Sequence, residues 1–258
     1  MLSPGQIERF RRDGFVALRG AIDAEVTAAC REEIWARLAA QGVDRLDRST
    51  WREPLVRIWC PRGGPFARLI GAMALREASD QLLGRRAWVR GQGDAGTVPV
   101  RFPVGQRRPS DAVWHLDGGW AAGGEAWVNV QSRGRGLVAL HLLTRTGPDD
   151  APTSLLVGSH LDVAPVLAAG GRRGMVMWDA ITALPPSTFR RPVALATGSA
   201  GDVYLLHPFL VHAATWPHDG TRPRVMVQRN IAVHEPFRLD RRDRTYPVEQ
   251  AILDALDG

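Results

Sequence analysis

The chain has 258 residues, enough to bury a sizeable core, and its 45% hydrophobic and 23% charged residues are typical of a globular protein in water. No apolar run approaches the roughly 18 residues of a membrane span, and the charged beginning of the chain lacks the apolar segment of a secretory signal. The two cysteines, Cys30 and Cys60, match neither a metal-binding motif nor a disulfide framework. We therefore expect a cytoplasmic protein with no membrane partner.

The net charge of +6 would be compatible with nucleic-acid binding. The basic residues number 33, and every one is arginine, because the sequence contains no lysine. These arginines are scattered along the chain and interleaved with acidic residues. No groove-reading motif accompanies them. The sequence therefore predicts no nucleic-acid partner.

The first 84 residues are predicted to be mainly helical. Ser3 is a good N-cap, with Pro4 at the first helical position and Gln6 at the capping-box position. Asp23 is a candidate cap for a second helix with regular apolar spacing. A short strand, GFVALRG, lies between these two helices. The predicted helices cover residues 3–13, 22–40 and 65–83.

From residue 85 onward, short runs of β-branched, aromatic and other apolar residues alternate with Gly, Pro and Asp. Strands are predicted in RAWVRG, TVPVRFP, AVWHLDG, EAWVNVQ, GLVALHLLT, TSLLVGSH, VALATG, DVYLLHPFLVHA and RVMVQRNIAV. Many short strands at this spacing indicate a β-sandwich or barrel. We predict one α+β domain over 1–258, with a helical part (1–84), a β-core (85–235) with an insert at 161–195, and a C-terminal tail and helix (236–258).

One stretch of this β-core, DAVWHLDGGW, carries a candidate metal site. On a strand, His115 and Asp117 point to the same side, while Trp114 and Leu116 point to the other. On a helix the same pair would lie about 200° apart and could not share a ligand. Two histidines and one carboxylate on one face are typical of iron(II) sites that activate dioxygen. The pair therefore predicts two of the three ligands.

The third ligand is expected in GDVYLLHPFLVHAATWPHDG, which holds three histidines. His218 lies in a predicted turn, where it should be exposed to solvent. His207 and His212 lie on or beside one predicted strand, with side chains on opposite faces unless Pro208 bends the chain. Either of the two could face the metal. His141 and His160 are expected to be packing or turn residues.

A cationic side chain near the metal would bind a dicarboxylate co-substrate, because the guanidinium group can hold a carboxylate through two parallel hydrogen bonds. Arg222 and Arg224 both follow the last of these histidines. Arg224 opens the predicted strand RVMV and could project into the core. A second arginine pair, Arg107 and Arg108, precedes the metal segment and is expected to lie in a solvated loop.

Taken together, these segments resemble the phytanoyl-CoA dioxygenase family of iron(II)- and 2-oxoglutarate-dependent oxygenases. LSPGQIERFRRDGFVALRGAID is similar to the N-terminal helix and strand of that family, and WHLDGG to its His-x-Asp motif. LLVGSH resembles its PGSH turn, with Val157 in place of the proline. GDVYLLHPFLVHAAT and RPRVMVQRN resemble the strands that carry its distal histidine and its co-substrate arginine. The resemblance implies a double-stranded β-helix, also called a cupin-like jelly roll, with N-terminal helices packed around it.

The resemblance also assigns roles to residues of this chain. It implies an iron(II) site of His115, Asp117 and His212, with 2-oxoglutarate and O2 as co-substrates. It places Arg224 at the 2-oxoglutarate carboxylate, with Arg222 in reserve for the same role, and Thr153 in a hydrogen bond to the same molecule.

The expected reaction is oxidation of a small organic substrate. Related halogenases replace the carboxylate ligand with a small residue, so the presence of Asp117 favours hydroxylation or a related oxidation. Trp120, just beyond Asp117, is a candidate substrate contact. Natural-product tailoring is a reasonable role, since the absence of lysine suggests a GC-rich coding background. The alternative is a non-catalytic jelly-roll protein that binds a metal or a small ligand.

Overall fold

The computed structural model describes residues 1–91, 96–105, 108–109, 111–117, 119–241 and 245–258. Its strands, in chain order, are β1 (Phe15–Leu18), β2 (Leu55–Trp59), β3 (Thr97–Arg101), β4 (Trp120–Ala122), β5 (Glu125–Val128), β6 (Leu137–Leu142), β7 (Thr153–Leu156), β8 (Met175–Val176), β9 (Val193–Leu195), β10 (Val203–Leu206), β11 (His212–Ala214) and β12 (Arg224–Ile231). Its α-helices are α1 (Pro4–Asp13), α2 (Ala24–Ala39), α3 (Gly64–Ile70), α4 (Met73–Leu83), α5 (Ser159–Ala169), α6 (Met177–Thr182) and α7 (Pro247–Asp257).

The main sheet has six antiparallel strands in the order β1-β10-β6-β12-β3-β2, and a smaller sheet has the order β11-β7-β9. Residues on β6 alternate between two apolar clusters, as expected for a strand buried on both faces. Leu140 and Leu142 pack with Leu155 of the smaller sheet, whereas Leu137 and Ala139 join the cluster formed with the helices. The two sheets form a sandwich with helices on the outer face of the larger one. The predicted α+β class, with a mainly β core, is confirmed.

The N-terminal helix begins where the sequence predicts. The Ser3 hydroxyl accepts a hydrogen bond from the backbone N–H of Gln6 at 3.3 Å, and the Gln6 side chain accepts one from the N–H of Ser3 at 2.9 Å. The helix predicted over 65–83 is wrong as a single element, because the chain forms α3 and α4 with a break at Gly71. Glycine has a low helix propensity and favours such an end. No helix within the described ranges is both long and apolar enough to cross a membrane.

The main sheet also contains an edge strand that the sequence did not predict. β2 lies within the part expected to be mainly helical and pairs antiparallel with β3, Trp59 opposite Thr97. The run RAWVRG, predicted as a strand, forms only one isolated bridge, between Trp88 and Val233. Ile58 is the one buried residue of β2, so this strand lacks the continuous apolar burial of a central strand.

Two predicted strands around the candidate site differ in the structure. The segment AVWHLDG contributes an isolated bridge between His115 and His212 instead of a strand among its described residues. The run DVYLLHPFLVHA divides into β10 and β11, which belong to different sheets. The chain turns between them, where the N–H of Leu210 donates to the carbonyl of His207 at 3.0 Å. Pro208, which has no N–H to donate to a ladder, lies in this turn.

Candidate metal centre

His115 and His212 lie side by side because their backbones pair directly. The N–H of His115 donates to the carbonyl of His212 at 3.0 Å, and the reverse bond measures 3.1 Å. Residues that exchange both hydrogen bonds in an antiparallel pair carry their side chains on the same face. The two imidazole centroids are 4.5 Å apart. A single backbone bridge thus places His115 beside His212, without a strand in this segment.

Asp117 completes a group of three, two residues beyond His115. Its Oδ2 lies 3.9 Å from Nε2 of His212, and one ligand atom from each of the three residues lies within 4.8 Å of the others. The carboxylate is oriented from the main sheet, where the side-chain amide of Gln228 lies 3.4 Å from Oδ1 and 3.3 Å from Oδ2. The centre therefore lies between the two sheets, with a contribution from each.

Both histidines are held with Nε2 directed to the centre. Nδ1 of His115 lies 2.8 Å from the carbonyl oxygen of Val113, and Nδ1 of His212 lies 2.9 Å from that of Leu210. A carbonyl can only accept a hydrogen bond, so each Nδ1 carries the proton and each Nε2 keeps its lone pair. Nε2 of His212 is buried and has no hydrogen-bond partner among the described residues. A buried lone pair of this kind fits a metal ligand.

The ionisation states also suit a metal. Burial would raise the pKa of Asp117, but the charge of Arg135 and then the neighbouring histidines outweigh it, so the pKa is lowered. Burial, followed by the charge of His115, lowers the pKa of His212 to about 4. At neutral pH Asp117 is a carboxylate and His212 is neutral, which are the forms that bind metals. Two imidazole nitrogens and one carboxylate oxygen on one side match the donor set of non-haem iron(II) oxygenases.

A cavity of about 100 Å³ joins the three residues to Arg224 and Thr153. Arg224 is the first residue of β12 and is only 2% exposed. Its one hydrogen bond to a described residue is to the sulfur of Met226 at 3.6 Å, and its Nε has no partner there. Burial, and next the charge of Arg101, lower the pKa of Arg224 to about 9, so the side chain stays cationic at neutral pH. A buried cation without a carboxylate partner is a good receptor for an anion.

The structure separates the two arginines between which the sequence alone could not decide. Arg222 is exposed and lines a different cavity, together with Arg31 and Arg145. Thr153 opens β7 and pairs with Ala214, two residues beyond His212. Among the sequence candidates for the co-substrate, Arg224 and Thr153 therefore share the cavity with the three metal-ligand candidates, and Arg222 does not.

The same cavity has a charged cluster that sequence reasoning missed. Arg57 and Arg101 both donate to Oδ2 of Asp111, at 2.7 Å and 2.6 Å. Burial would raise the pKa of Asp111, but the charge of Arg101 lowers it. The strand TVPVR offered a signal, because alternation places Thr97, Pro99 and Arg101 on one face. A charge on the buried side of such a strand indicates a functional site or an ion pair.

The remaining candidates lie elsewhere. His207 is buried beside α7, with Nε2 3.2 Å from the carbonyl oxygen of Val248. His218 is half-buried, so the expectation of an exposed turn residue is wrong. Trp120 opens β4 and stacks on Trp127, with ring centroids 6.4 Å apart. Two further residues singled out in the sequence, Arg107 and the Gly118 of WHLDGG, lie outside the described residues.

No protein-family model matches the chain, and no curated protein matches it. Solved structures are similar to it. The epimerase SnoN in complex with Fe3+, alpha ketoglutarate and nogalamycin RO has a TM-score of 0.59 at 19% identity, over 89% of this chain and 81% of that chain. EctD from S. alaskensis with bound Fe has a TM-score of 0.59 at 19% identity, over 95% of this chain and 80% of that chain. HygX from Streptomyces hygroscopicus with nickel, 2-oxoglutarate and hygromycin B has a TM-score of 0.52 at 17% identity, over 88% of this chain and 86% of that chain.

At identities of 17% and 19%, these similarities show that the chain shares the fold of these proteins. The jelly roll with packed helices is therefore confirmed, whereas membership of the phytanoyl-CoA dioxygenase family stays a prediction. The similar structures hold iron or nickel, 2-oxoglutarate, and small molecules such as hygromycin B and 5-hydroxyectoine.

Proposed function

We propose that this protein is an iron(II)- and 2-oxoglutarate-dependent oxygenase. His115, Asp117 and His212 hold the iron, while Arg224 and Thr153 hold 2-oxoglutarate. The observation that carries the proposal is the convergence of the three ligand atoms within 4.8 Å in a cavity that also contains Arg224, a buried arginine with no carboxylate partner among the described residues. A histidine pair beside an aspartate, or a buried arginine, also occurs in proteins without a metal, but together they fit one metal ion and one dicarboxylate.

Each residue has a distinct task in this proposal. The hydrogen bonds to backbone carbonyls hold the two imidazoles with Nε2 toward the metal, and Gln228 orients the carboxylate of Asp117. The guanidinium group of Arg224 donates to the distal carboxylate of 2-oxoglutarate, and the hydroxyl of Thr153 donates a hydrogen bond to the same molecule. When bound, iron, 2-oxoglutarate and O2 supply the oxidising chemistry that yields succinate, carbon dioxide and an oxidised substrate C–H bond.

The reaction is hydroxylation or another oxidation of a small organic molecule, and not halogenation. Asp117 would supply a carboxylate ligand to the iron, and a halide would have to take the place of that ligand. Natural-product tailoring is supported by structural neighbours such as the carbocyclase SnoK from nogalamycin biosynthesis, with a TM-score of 0.55 at 17% identity. Trp120 stays a predicted substrate contact.

Iron-dependent conversion of 2-oxoglutarate to succinate tests this function. We expect the wild-type protein with iron(II), ascorbate and oxygen to form succinate, and the His212→Ala variant to form none above the level of free iron. A protein that only binds ligands would take up 2-oxoglutarate without producing succinate. That outcome would contradict the proposed oxygenase function and favour the alternative, a non-catalytic jelly-roll protein that binds a metal or a small ligand.

A further inference from the structure

An exposed tryptophan lies beside the candidate site, on the edge strand that the sequence did not predict. Trp59 ends β2 and is 80% exposed, whereas the preceding Ile58 is buried. Tryptophan is usually largely buried, because its indole has the largest apolar surface of any side chain. Its position on an edge strand leaves the ring open on the side where β3 does not cover it.

The strand register places this indole on the same face as the candidate metal centre. Trp59 pairs with Thr97, and Thr97 pairs with Gln228. Directly paired residues in an antiparallel sheet point to the same side. Gln228 contacts Asp117 at 3.3 Å. Since adjacent strands are about 4.8 Å apart, the Cα atoms of Trp59 and Gln228 are separated by about 10 Å.

The neighbouring residue on the same face, Arg57, lines the cavity itself. Its side chain is 38% exposed, whereas that of Arg101 is 3% exposed. One carboxylate oxygen of Asp111 serves both guanidinium groups, so this cluster keeps one positive charge. With Arg224 assigned to 2-oxoglutarate, Arg57 is the partly exposed arginine among the described residues that line this cavity.

We propose that the substrate is an anionic ring compound, whose ring stacks on Trp59 and whose acidic group pairs with Arg57. This proposal rests on the proposed function and names the substrate class of the same site. An aromatic ring or the C–H face of a sugar ring gains from contact with an exposed indole. A carboxylate or phosphate gains from a charge-assisted hydrogen bond to a guanidinium group. A ring held on Trp59 would extend over Thr97 toward the centre.

Ligand-observed NMR on the cobalt(II)-loaded, 2-oxoglutarate-saturated protein tests the proposal. The probes are matched pairs, phenylacetate with phenylacetamide and a hexuronate with its amide, and hexanoate as an acid without a ring. We expect the ring acids to bind best and to show relaxation enhanced by cobalt. Trp59→Ala should weaken their binding about three- to tenfold, and Trp59→Phe should retain most of it. Arg57→Gln should remove the preference for acid over amide, and Arg57→Lys should restore part of it.

Trp178→Ala is the matched control, because Trp178 is 50% exposed on α6 and lines none of the cavities that contain the candidate site residues. This variant should bind every probe as the wild type does. Equal binding of hexanoate and the ring acids, or unchanged binding in Trp59→Ala, overturns the proposal. So does a wild-type dimer that Trp59→Ala dissociates without a change in probe affinity, since Trp59 would then be an interface residue.

Binding of 2-oxoglutarate distinguishes a failure of the substrate class from a failure of the proposed function. Calorimetric titration of 2-oxoglutarate into the same cobalt(II) protein precedes the NMR experiment. Absence of that binding contradicts the proposed function and, with it, the substrate class. Intact 2-oxoglutarate binding, with no effect of Trp59 or Arg57 on the probes, contradicts the substrate class alone.

Discussion

Replacing Arg224 by methionine should weaken 2-oxoglutarate binding while it stabilises the protein that lacks 2-oxoglutarate. Both effects follow from the burial of the Arg224 side chain and from its few hydrogen bonds. The side chain is 2% exposed, and its hydrogen bonds to described residues are limited to the Met226 sulfur. The nearby Arg101 is a second positive charge, already paired with Asp111. Methionine fills similar space without a charge, so it removes the cost of the buried cation together with the anion receptor.

The size of each effect can be worked from the contacts. A charge-assisted hydrogen bond contributes about 1.5–3 kcal/mol, so loss of a two-point carboxylate contact costs about 3 kcal/mol in this shielded cavity. That corresponds to a rise in Kd of roughly two orders of magnitude. In the absence of 2-oxoglutarate, removing the unsatisfied charge should raise the free energy of unfolding by about 1–3 kcal/mol. Calorimetric titration of the nickel-loaded protein and urea unfolding measure the two quantities.

Arg222→Met is the matched control, because Arg222 is exposed and lines another cavity. It should change neither the affinity nor the stability appreciably. An unchanged Kd in Arg224→Met, with a raised Kd in Arg222→Met, would contradict the role of Arg224 and assign the carboxylate contact to Arg222.

Three further predictions concern the histidines and the carboxylate. His212→Ala should abolish tight iron binding in an equilibrium dialysis measurement, whereas His207→Ala should retain it, and the opposite result would exchange their roles. Because Asp117 is present, incubation of the unmodified protein with iron, 2-oxoglutarate, chloride and its substrate should give a product heavier by one oxygen or lighter by two hydrogens. The mass of the product is measured by mass spectrometry, and a chlorinated product would contradict the prediction. His141→Leu should raise the free energy of unfolding more at pH 5 than at pH 8. Burial lowers the pKa of His141 to about 3, whereas the unfolded chain takes up a proton below about 6.5. The wild type therefore loses about 2 kcal/mol as the pH falls from 8 to 5. An equal effect of His141→Leu at pH 5 and at pH 8 in urea unfolding would contradict this assignment.

Local sequence patterns predicted the parts of the fold that depend on neighbouring residues. The capping box of Ser3 and Gln6 fixes the start of α1 by two hydrogen bonds within one turn. The strand alternation placed His115 and Asp117 on one side, and their ligand atoms do meet. The reason differs in detail, because a single backbone bridge to His212, and not a strand, orients the first histidine.

Contacts between distant segments could not be predicted in this way. Arg57 comes from an edge strand whose pattern is weak, and it meets Asp111 only because β2 pairs with β3. The choice between Arg222 and Arg224 also depended on which cavity each one lines. The position of Arg101 could have been predicted from the alternation of residues along β3. It is a charged residue on the face of that strand opposite to Val98 and Val100.

The most direct test of the proposed iron site is an anaerobic titration of 2-oxoglutarate into the iron(II)-loaded protein, followed by visible absorption. Bidentate binding of a 2-oxo acid to iron(II) gives a charge-transfer band. We expect this band to saturate at one equivalent of 2-oxoglutarate in the wild type and to be absent from the His115→Ala and His212→Ala variants. A wild-type protein without the band, or histidine variants that retain it at full strength, would contradict the assignment of this iron site.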